Sequence, residues 1–500
     1  MTGALRGEWT KLRSVPRWIA TLLGAAVLTI GLGALGASAS NTDINRNPDF
    51  VTGPFGDPVA DALGFAHHAV TGDTSVTVHV TSLAPVNTRP STGGPDRGTV
   101  VPPTPWSDLA AGVTLKDGTA PGSSYVSVLL TGSHGVRMQS DFTQDVAGSA
   151  STGDRWLRLT RTGAEVTGYE SADGQTWRPI ATMTPKGIPN TAQTGMSVSS
   201  APTLYVSRGM GSSSLGGHPE SAVATFEDVA QTPSSDTDWQ GTAVTMPAPA
   251  LPNSNGEGPG PELPVVTQLN GTYTVVGQGK VGPQAPDDDV VESSLIGVIA
   301  GLMALICVGA LFGTSEYRRG MIRTTFAATP RRGQVLAAKA LVLGGVTFAI
   351  SLFAVVVSFL VAVPILQDHG MAPPAFPTPS LTDPAVLRAL VLTALFMTGV
   401  TLVALAVGML MRRSAAAITV TIVLLVLPLI AGTVLPGSSP RWLMYTTLAG
   451  GLATLRAKPP TDTLAVPWAL IGPGAGITVV LGYAAVGLTL AWWQLRRRDA

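Results

Sequence analysis

Glu165, Glu170 and Asp173 stand close together in EVTGYESADGQTW, and paired carboxylates are what glycoside hydrolysis requires. Both groups would have to face one substrate. Side chains alternate along an extended chain, so Glu165 and Glu170 have opposite parity. Asp173-Gly174 reads as a tight turn. The three carboxylates are therefore expected on separate faces, as solvated charges. His67 and His68 are adjacent but have no further ligand at metal-site spacing, so no metal is expected. Trp106 and Trp156 are candidate ligand contacts, able to stack on a sugar, although a core or rim position suits them equally. Cys307 is the only cysteine and lies inside an apolar run. That excludes disulfides and cysteine-held metals. The chain contains no G-x-x-x-x-G-K-[ST] phosphate loop, so ATP hydrolysis is not expected from this chain.

A different kind of chemistry resides in GTSEYRRGMIRTTFAATPRRGQVLAAKA, residues 313–340, which holds Arg318, Arg319, Arg323, Arg331, Arg332 and Lys339 between two apolar runs. At helical spacing Met321, Ile322, Thr325 and Phe326 share a face, with Arg319 and Arg323 beside them. Pro330 then breaks the helix before a new one starts. A short amphipathic helix of this kind suits docking to a cytoplasmic partner. The plainer alternative is a basic loop held to anionic lipid. Nucleic acid is not an expected partner, because only Tyr317 and Phe326 could stack on bases.

The surrounding elements follow from composition. The chain is 45% apolar and 12% charged with no net charge, and its mean hydropathy is +0.32. That places it among membrane proteins and gives no global bias toward nucleic acid or acidic substrates. Ile19–Ala37, Ser294–Gly313, Ala340–Leu366, Ala385–Met411, Ala415–Leu435 and Ile471–Trp493 are each long enough to cross a ~30 Å hydrocarbon core. Arg6, Lys11, Arg13 and Arg17, the basic loop, Arg412, Arg413 and Arg496–Arg498 all fall on one side, which predicts both termini in the cytoplasm. Residues 38–291 are then extracellular. Ala37-Ser38-Ala39 fits a signal-peptidase site, but the apolar run before it exceeds the ~7–15 residues usual there. An uncleaved anchor is expected, with 18–37 as the first span. Residues 1–17 should form a lead-in helix whose Leu5, Trp9 and Leu12 lie on the membrane surface. The span interiors hold hardly an ionisable residue, whereas proton- or sodium-coupled transporters need such groups at depth.

The outer segment reads as β-structure. Val76, Val78 and Val80 alternate with polar residues. Tyr125–Leu130, Val136–Phe142, Trp156–Arg161, Glu165–Ser171, Gly195–Ser200 and Ala222–Val229 are further short strands. Strands so short and so frequent predict a sandwich. Residues 231–270, with the Pro/Gly-rich Met246–Pro264, read as linker.

Two resemblances attach to these residues. FAHHAVTGDTSVTVHVTSL, AAGVTLKD and WLRLTRTGAEVTGYESADGQTW resemble the concanavalin A-like jelly-roll domains of secreted carbohydrate-active proteins, over about residues 61–230. This resemblance implies a fold rather than an activity. GTYTVVGQGKVG, residues 271–282, resembles the opening strand of such a domain and is expected as a displaced edge strand. SADGQTW resembles the structural aspartate-box hairpins of sialidases. Separately, TSEYRRGMIRTTFAATPRRGQVLAAKA resembles the first cytoplasmic loop of ABC-2 type transporter permease subunits, with Glu316, Gly320, Pro330, Arg332 and Lys339 matching the loop pattern. EWTKLRS and PRWLMYTTLAGGLATL are similar to that family's lead-in helix and to its outer segment before the last span. This second resemblance covers residues 1–40 and 292–500. It implies a six-helix permease domain, export driven by a separate ATPase subunit that holds the ATP and Mg, and a second permease subunit, identical or not. The docking residues it implies are Glu316, Arg319, Gly320, Met321, Ile322, Arg323, Phe326, Pro330, Arg332 and Lys339, within loop 314–339. The long segment after the first span departs from the family's minimal pattern. A cell-surface receptor or glycan-binding protein acting through the jelly roll is the alternative.

Overall fold

The computed structural model describes residues 2–40, 51–86, 99–100, 102–209, 212–218, 220–234, 238–246, 265–284, 288–318, 332–373, 376–434, 439–460 and 466–497. The chain forms two units. One comprises residues 1–46, 206–215 and 287–500, and the other residues 47–205 and 216–286.

The first unit is helical. Its helices are α1 (Thr2–Ser14), α2 (Pro16–Ala39), α3 (Val290–Ser294), α4 (Val298–Arg318), α5 (Arg332–Asp368), α6 (Pro384–Met411), α7 (Ser414–Val434), α8 (Ser439–Thr446) and α9 (Pro473–Arg497). Six of them, α2, α4, α5, α6, α7 and α9, are long and apolar enough to cross a membrane. Their boundaries fall where local chemistry sets them. Asp383 accepts the Ala385 N–H as the α6 N-cap, Pro384 opens the helix, and Arg412 ends it in the left-handed conformation at φ 56°. The second expected span begins later than the sequence indicates, because Asp289 caps the short α3 over residues 290–294 before α4 starts.

Helix α6 lies at the centre, with 72% of its most apolar window buried, against 28% for α2, α7 and α9. Apolar side chains such as Val27, Leu35, Phe353, Leu427, Ile430 and Val486 remain exposed on the outer helix faces. That is the distribution expected of helices solvated by lipid. Between α4 and α6 the backbones approach closely through glycine. A Cβ on Gly309 would lie 2.4 Å from the Thr401 carbonyl oxygen, and one on Gly408 would lie 2.9 Å from that of Ala310. Small residues allow such contact where no hydrophobic force presses helices together.

Before α9 the chain forms α8, a 3-10 helix at Leu448–Leu455 whose residues are all buried, and a 3-10 turn at Pro467–Leu470. Met444, Ala449, Ala453, Leu470 and Ile471 make a small core of their own there.

The second unit is built from two antiparallel seven-stranded sheets. One runs, in spatial order, Arg178–Met183, Glu165–Ser171, Arg155–Thr162, Thr74–Val86, Ser221–Thr232, Thr272–Gln278, Val266–Leu269. The other runs Gln240–Val244, Leu63–Thr71, Thr191–Ser199, Ala110–Lys116, Tyr125–Thr131, Val136–Ser140, Gln144–Ala147. Val76, Val78, Val80, Leu157 and Phe226 from the first meet Val113, Val126, Val128, Met138 and Met196 from the second in one core. The alternation of Val76, Val78 and Val80 is realised, with all three at 0% exposure. Two expectations are corrected. Thr272–Gln278 is no edge strand, since it pairs with Ser221–Thr232 on one side and Val266–Leu269 on the other. The stretch 231–270 is not simply linker, because it supplies the strands Gln240–Val244 and Val266–Leu269.

Candidate functional site

Two helices frame the basic loop. Helix α4 carries Glu316 to its end at Arg318, and α5 starts at Arg332. Arg319, Gly320, Met321, Ile322, Arg323, Phe326 and Pro330 lie outside the described residues. At the loop's base the Arg412 guanidinium sits 5.1 Å from the Tyr317 ring centroid.

Lys339 is placed differently from what the sequence indicates. Its side chain is 4% exposed and its Nζ donates to Glu8 Oε2 at 3.0 Å. The other oxygen of Glu8 accepts from Lys11 Nζ, also at 3.0 Å. The Lys339 ammonium lies 4.9 Å from the Phe312 ring centroid, and Phe312 meets Trp18 edge-on at 5.7 Å. Four helices, α1, α2, α4 and α5, thus converge on one buried ion pair. Lys339 belongs to this internal tie rather than to a surface that a partner could touch. Two charges are stable here because each finds its counter-charge at bonding distance and the ring face supplies a further negative pole.

The lead-in helix follows the same correction. Leu12 is buried and Leu5 half-buried, but Trp9 is 49% exposed, and the residue that turns inward beside Leu12 is the charged Glu8. The expected face of Leu5, Trp9 and Leu12 is therefore divided between packing and exposure.

A second polar cluster lies near α3 and was not anticipated from sequence. Trp468 Nε1–H donates to Glu292 Oε1 at 2.5 Å, and Arg456 Nε lies 3.3 Å from Glu292 Oε2. Burial pushes the Glu292 carboxyl above its usual range, against the opposing pull of the Trp468 N–H and of Arg456. Asp289 Oδ2 accepts from the Ala457 and Lys458 N–H groups at 2.6 and 2.8 Å. Arg388 of α6 donates to the Ala457 carbonyl at 2.8 Å. Only Arg456 gave a signal in the sequence, as the first charge after an uncharged stretch from Trp442 to Leu455.

In the β unit the candidate carboxylates are separated as expected, but Glu170 is not the solvated charge that the sequence indicates. Glu165 is exposed, while Glu170 is buried and accepts the Ser149 N–H at 2.9 Å. Asp173 folds into its own turn, accepting the Gln175 and Thr176 N–H groups at 2.9 and 2.7 Å, and these bonds hold its carboxyl well below the usual range. Trp156 stacks on His79 at 4.5 Å between ring centroids, and Gly174 packs against the same indole. Trp106 is half-buried beside Gly282. His67 bonds to Gln193 and Thr242, and His68 bonds to Gln231 and stacks on Trp239. Among the described residues no group of three or more His, Cys, Asp or Glu is gathered as a metal site.

A family model described as "Protein of unknown function (DUF2705)" matches residues 283–500. No curated protein matches the chain. Among solved structures, a functionally unknown protein from Saccharomyces cerevisiae is similar at 13% identity, covering 33% of this chain and 72% of its own, with a TM-score of 0.21. Scytalido-glutamic peptidase with a peptide-based transition-state analogue is similar at 8% identity, covering 44% of this chain and 100% of its own, also at 0.21. Superposition that loose has no bearing on what this chain does.

Proposed function

We propose that this chain is the permease subunit of an ABC-2 type ATP-driven exporter in the cell membrane, with both termini cytoplasmic and a jelly-roll domain outside. It would pair with a second permease subunit and with an ATPase subunit docked on loop 314–339. The observation that carries this reading is the Glu8–Lys339 pair. It fastens the lead-in helix to the helix that follows the loop, so a push on the loop by a partner would reach α1, α2, α4 and α5 together. The six apolar helices and the resemblance of the loop support the same reading. The receptor alternative gains less support, because one of its two candidate stacking residues, Trp156, already packs on His79 and Gly174.

The test is purification of the full chain in mild detergent and identification of co-purifying chains, for the wild type and for Phe326→Asp. A carboxylate introduced into a desolvated contact should abolish ATPase co-purification while membrane insertion is kept. Retention of the partner by both Phe326→Asp and Arg323→Glu would reduce the loop to an orientation signal.

A further inference from the structure

The β unit buries a second lysine in a setting unlike the first. Lys116 ends the strand Ala110–Lys116, and Asp61 ends the strand Val59–Asp61. Lys116 Nζ lies 2.6 Å from Asp61 Oδ2, and the two side chains are 1% and 0% exposed. The Gly122 N–H donates to the same Oδ2 at 2.7 Å. The rings of Tyr125 and Phe142 flank the amine at 5.8 and 5.9 Å. Asp61 Oδ1 and the Tyr125 hydroxyl are buried and have no hydrogen-bond partner among the described residues. Asp61, Lys116 and Tyr125 line one cavity of ≈ 20 Å³, room for about one water molecule.

A buried ion pair is held best when every remaining lone pair is satisfied, and among the described residues Oδ1 meets no donor. Burial also drives the Lys116 ammonium below the ordinary lysine range, against the attraction of Asp61. The neutral amine is the form of lysine that attacks a carbonyl carbon.

We propose that Lys116 and Asp61 are joined by an isopeptide bond. Proton transfer across the 2.6 Å contact gives a neutral amine and a carboxylic acid. The Nζ lone pair attacks the Asp61 carbonyl carbon. Oδ1 carries the developing negative charge and remains as the amide oxygen. Oδ2, which took the first ammonium proton across that contact, takes a second from the attacking nitrogen and leaves as water, and the third proton stays on the amide nitrogen. Ammonium plus carboxylate yields amide plus one water, and no oxidant, metal or other reactant is consumed. The product is a covalent clasp in a unit that has no cysteine.

The decisive measurement is tryptic peptide mapping by mass spectrometry of the full wild-type chain purified in detergent. Trypsin should fail to cut after Lys116, and residues 47–97 and 98–137 should travel as one branched species, one water lighter than their sum. Asp61→Asn should give the identical species by loss of ammonia, and Lys116→Met should give separate linear peptides of full mass. Dehydration at Asp117-Gly118 would lighten a linear peptide without joining two. Cleavage after Lys116 with a linear, full-mass Asp61 peptide in the wild type would overturn the proposal. That reading does not depend on whether any variant folds.

Discussion

In the helical unit Thr29, Thr314, Thr347, Thr398, Thr401 and Thr421 each donate a hydroxyl to the carbonyl four residues earlier, at 2.8–2.9 Å. In the β unit the hydroxyls bond across strands instead. Thr114 meets Ser127 and Ser197, both at 2.7 Å, Ser75 meets Thr160, and Thr167 meets Thr182. The helix lets a polar side chain be satisfied by its own turn, wherever that helix packs. The sheet makes satisfaction a property of register, so each hydroxyl depends on a distant strand. The helical unit's buried charges behave like the sheet's hydroxyls in this respect, since Glu8 and Lys339 are 331 residues apart. Dependence on a remote partner, rather than polarity itself, should therefore set the sensitivity to substitution.

The largest effect is expected at that ion pair. Lys339→Met leaves Glu8 buried with Lys11 alone and should destabilise the helical unit by ~3–5 kcal/mol, measured as thermal unfolding in detergent. Adding Glu8→Gln should recover much of the loss, and a single variant with unchanged stability would show that the pair is solvated in practice. Thr114→Val comes next, since it strips a partner from both Ser127 and Ser197 and should cost ~1–3 kcal/mol. The contrasting change, Thr398→Val, removes only a local back-bond and should cost about 0.5 kcal/mol or less. Equal losses at Thr114 and Thr398 would break the distinction between the units.

A smaller and pH-dependent effect belongs to Glu292. Its folded carboxyl is raised by burial, so the folded state holds the proton more tightly than the unfolded chain does. The stability this contributes is present below the ordinary glutamate range and is lost as pH rises through the folded value. Thermal stability followed across that window should show the decline in the wild type but not in Glu292→Gln. An identical pH profile for the two would place the carboxyl in contact with water.

The same contrast explains which parts could be read from residues alone. The six long apolar helices were evident because hydropathy is a local property, and Val76, Val78 and Val80 were evident because alternation is too. The strand Leu63–Thr71 was obscured, since burial on both faces over most of its length leaves LGFAHHAVT without alternation. Thr272–Gln278 reads as an edge strand although Asn270-Gly271, the two-residue turn that pairs it with Val266–Leu269, stands just before it and both turn residues have positive φ. Lys339 was grouped with its neighbours in a basic loop because its partner is at the other end of the chain. Glu292 and Arg456 are 164 residues apart in sequence, and only the fold unites them. Of the docking residues named from the loop pattern, Lys339 alone has a described side chain, and that side chain turns inward.

Helix α5 is longer than a bilayer crossing demands. Its 37 residues rise about 55 Å along the axis, against a hydrocarbon core of about 30 Å. Even tilted by about 40°, the steep end of the observed range, it would still span about 42 Å. Some 12 Å, or about ten residues at that tilt, would then reach into the polar layers. Arg332 and Lys339 lie within its first eight residues and Asp368 is its last, so the projecting turns carry charge at both ends. Its length is interrupted at Pro364, four residues before the end, where the ring removes a helical hydrogen bond and permits a kink. In a bilayer, that proline would be where a displacement of one tip is passed on or absorbed before it reaches the other face.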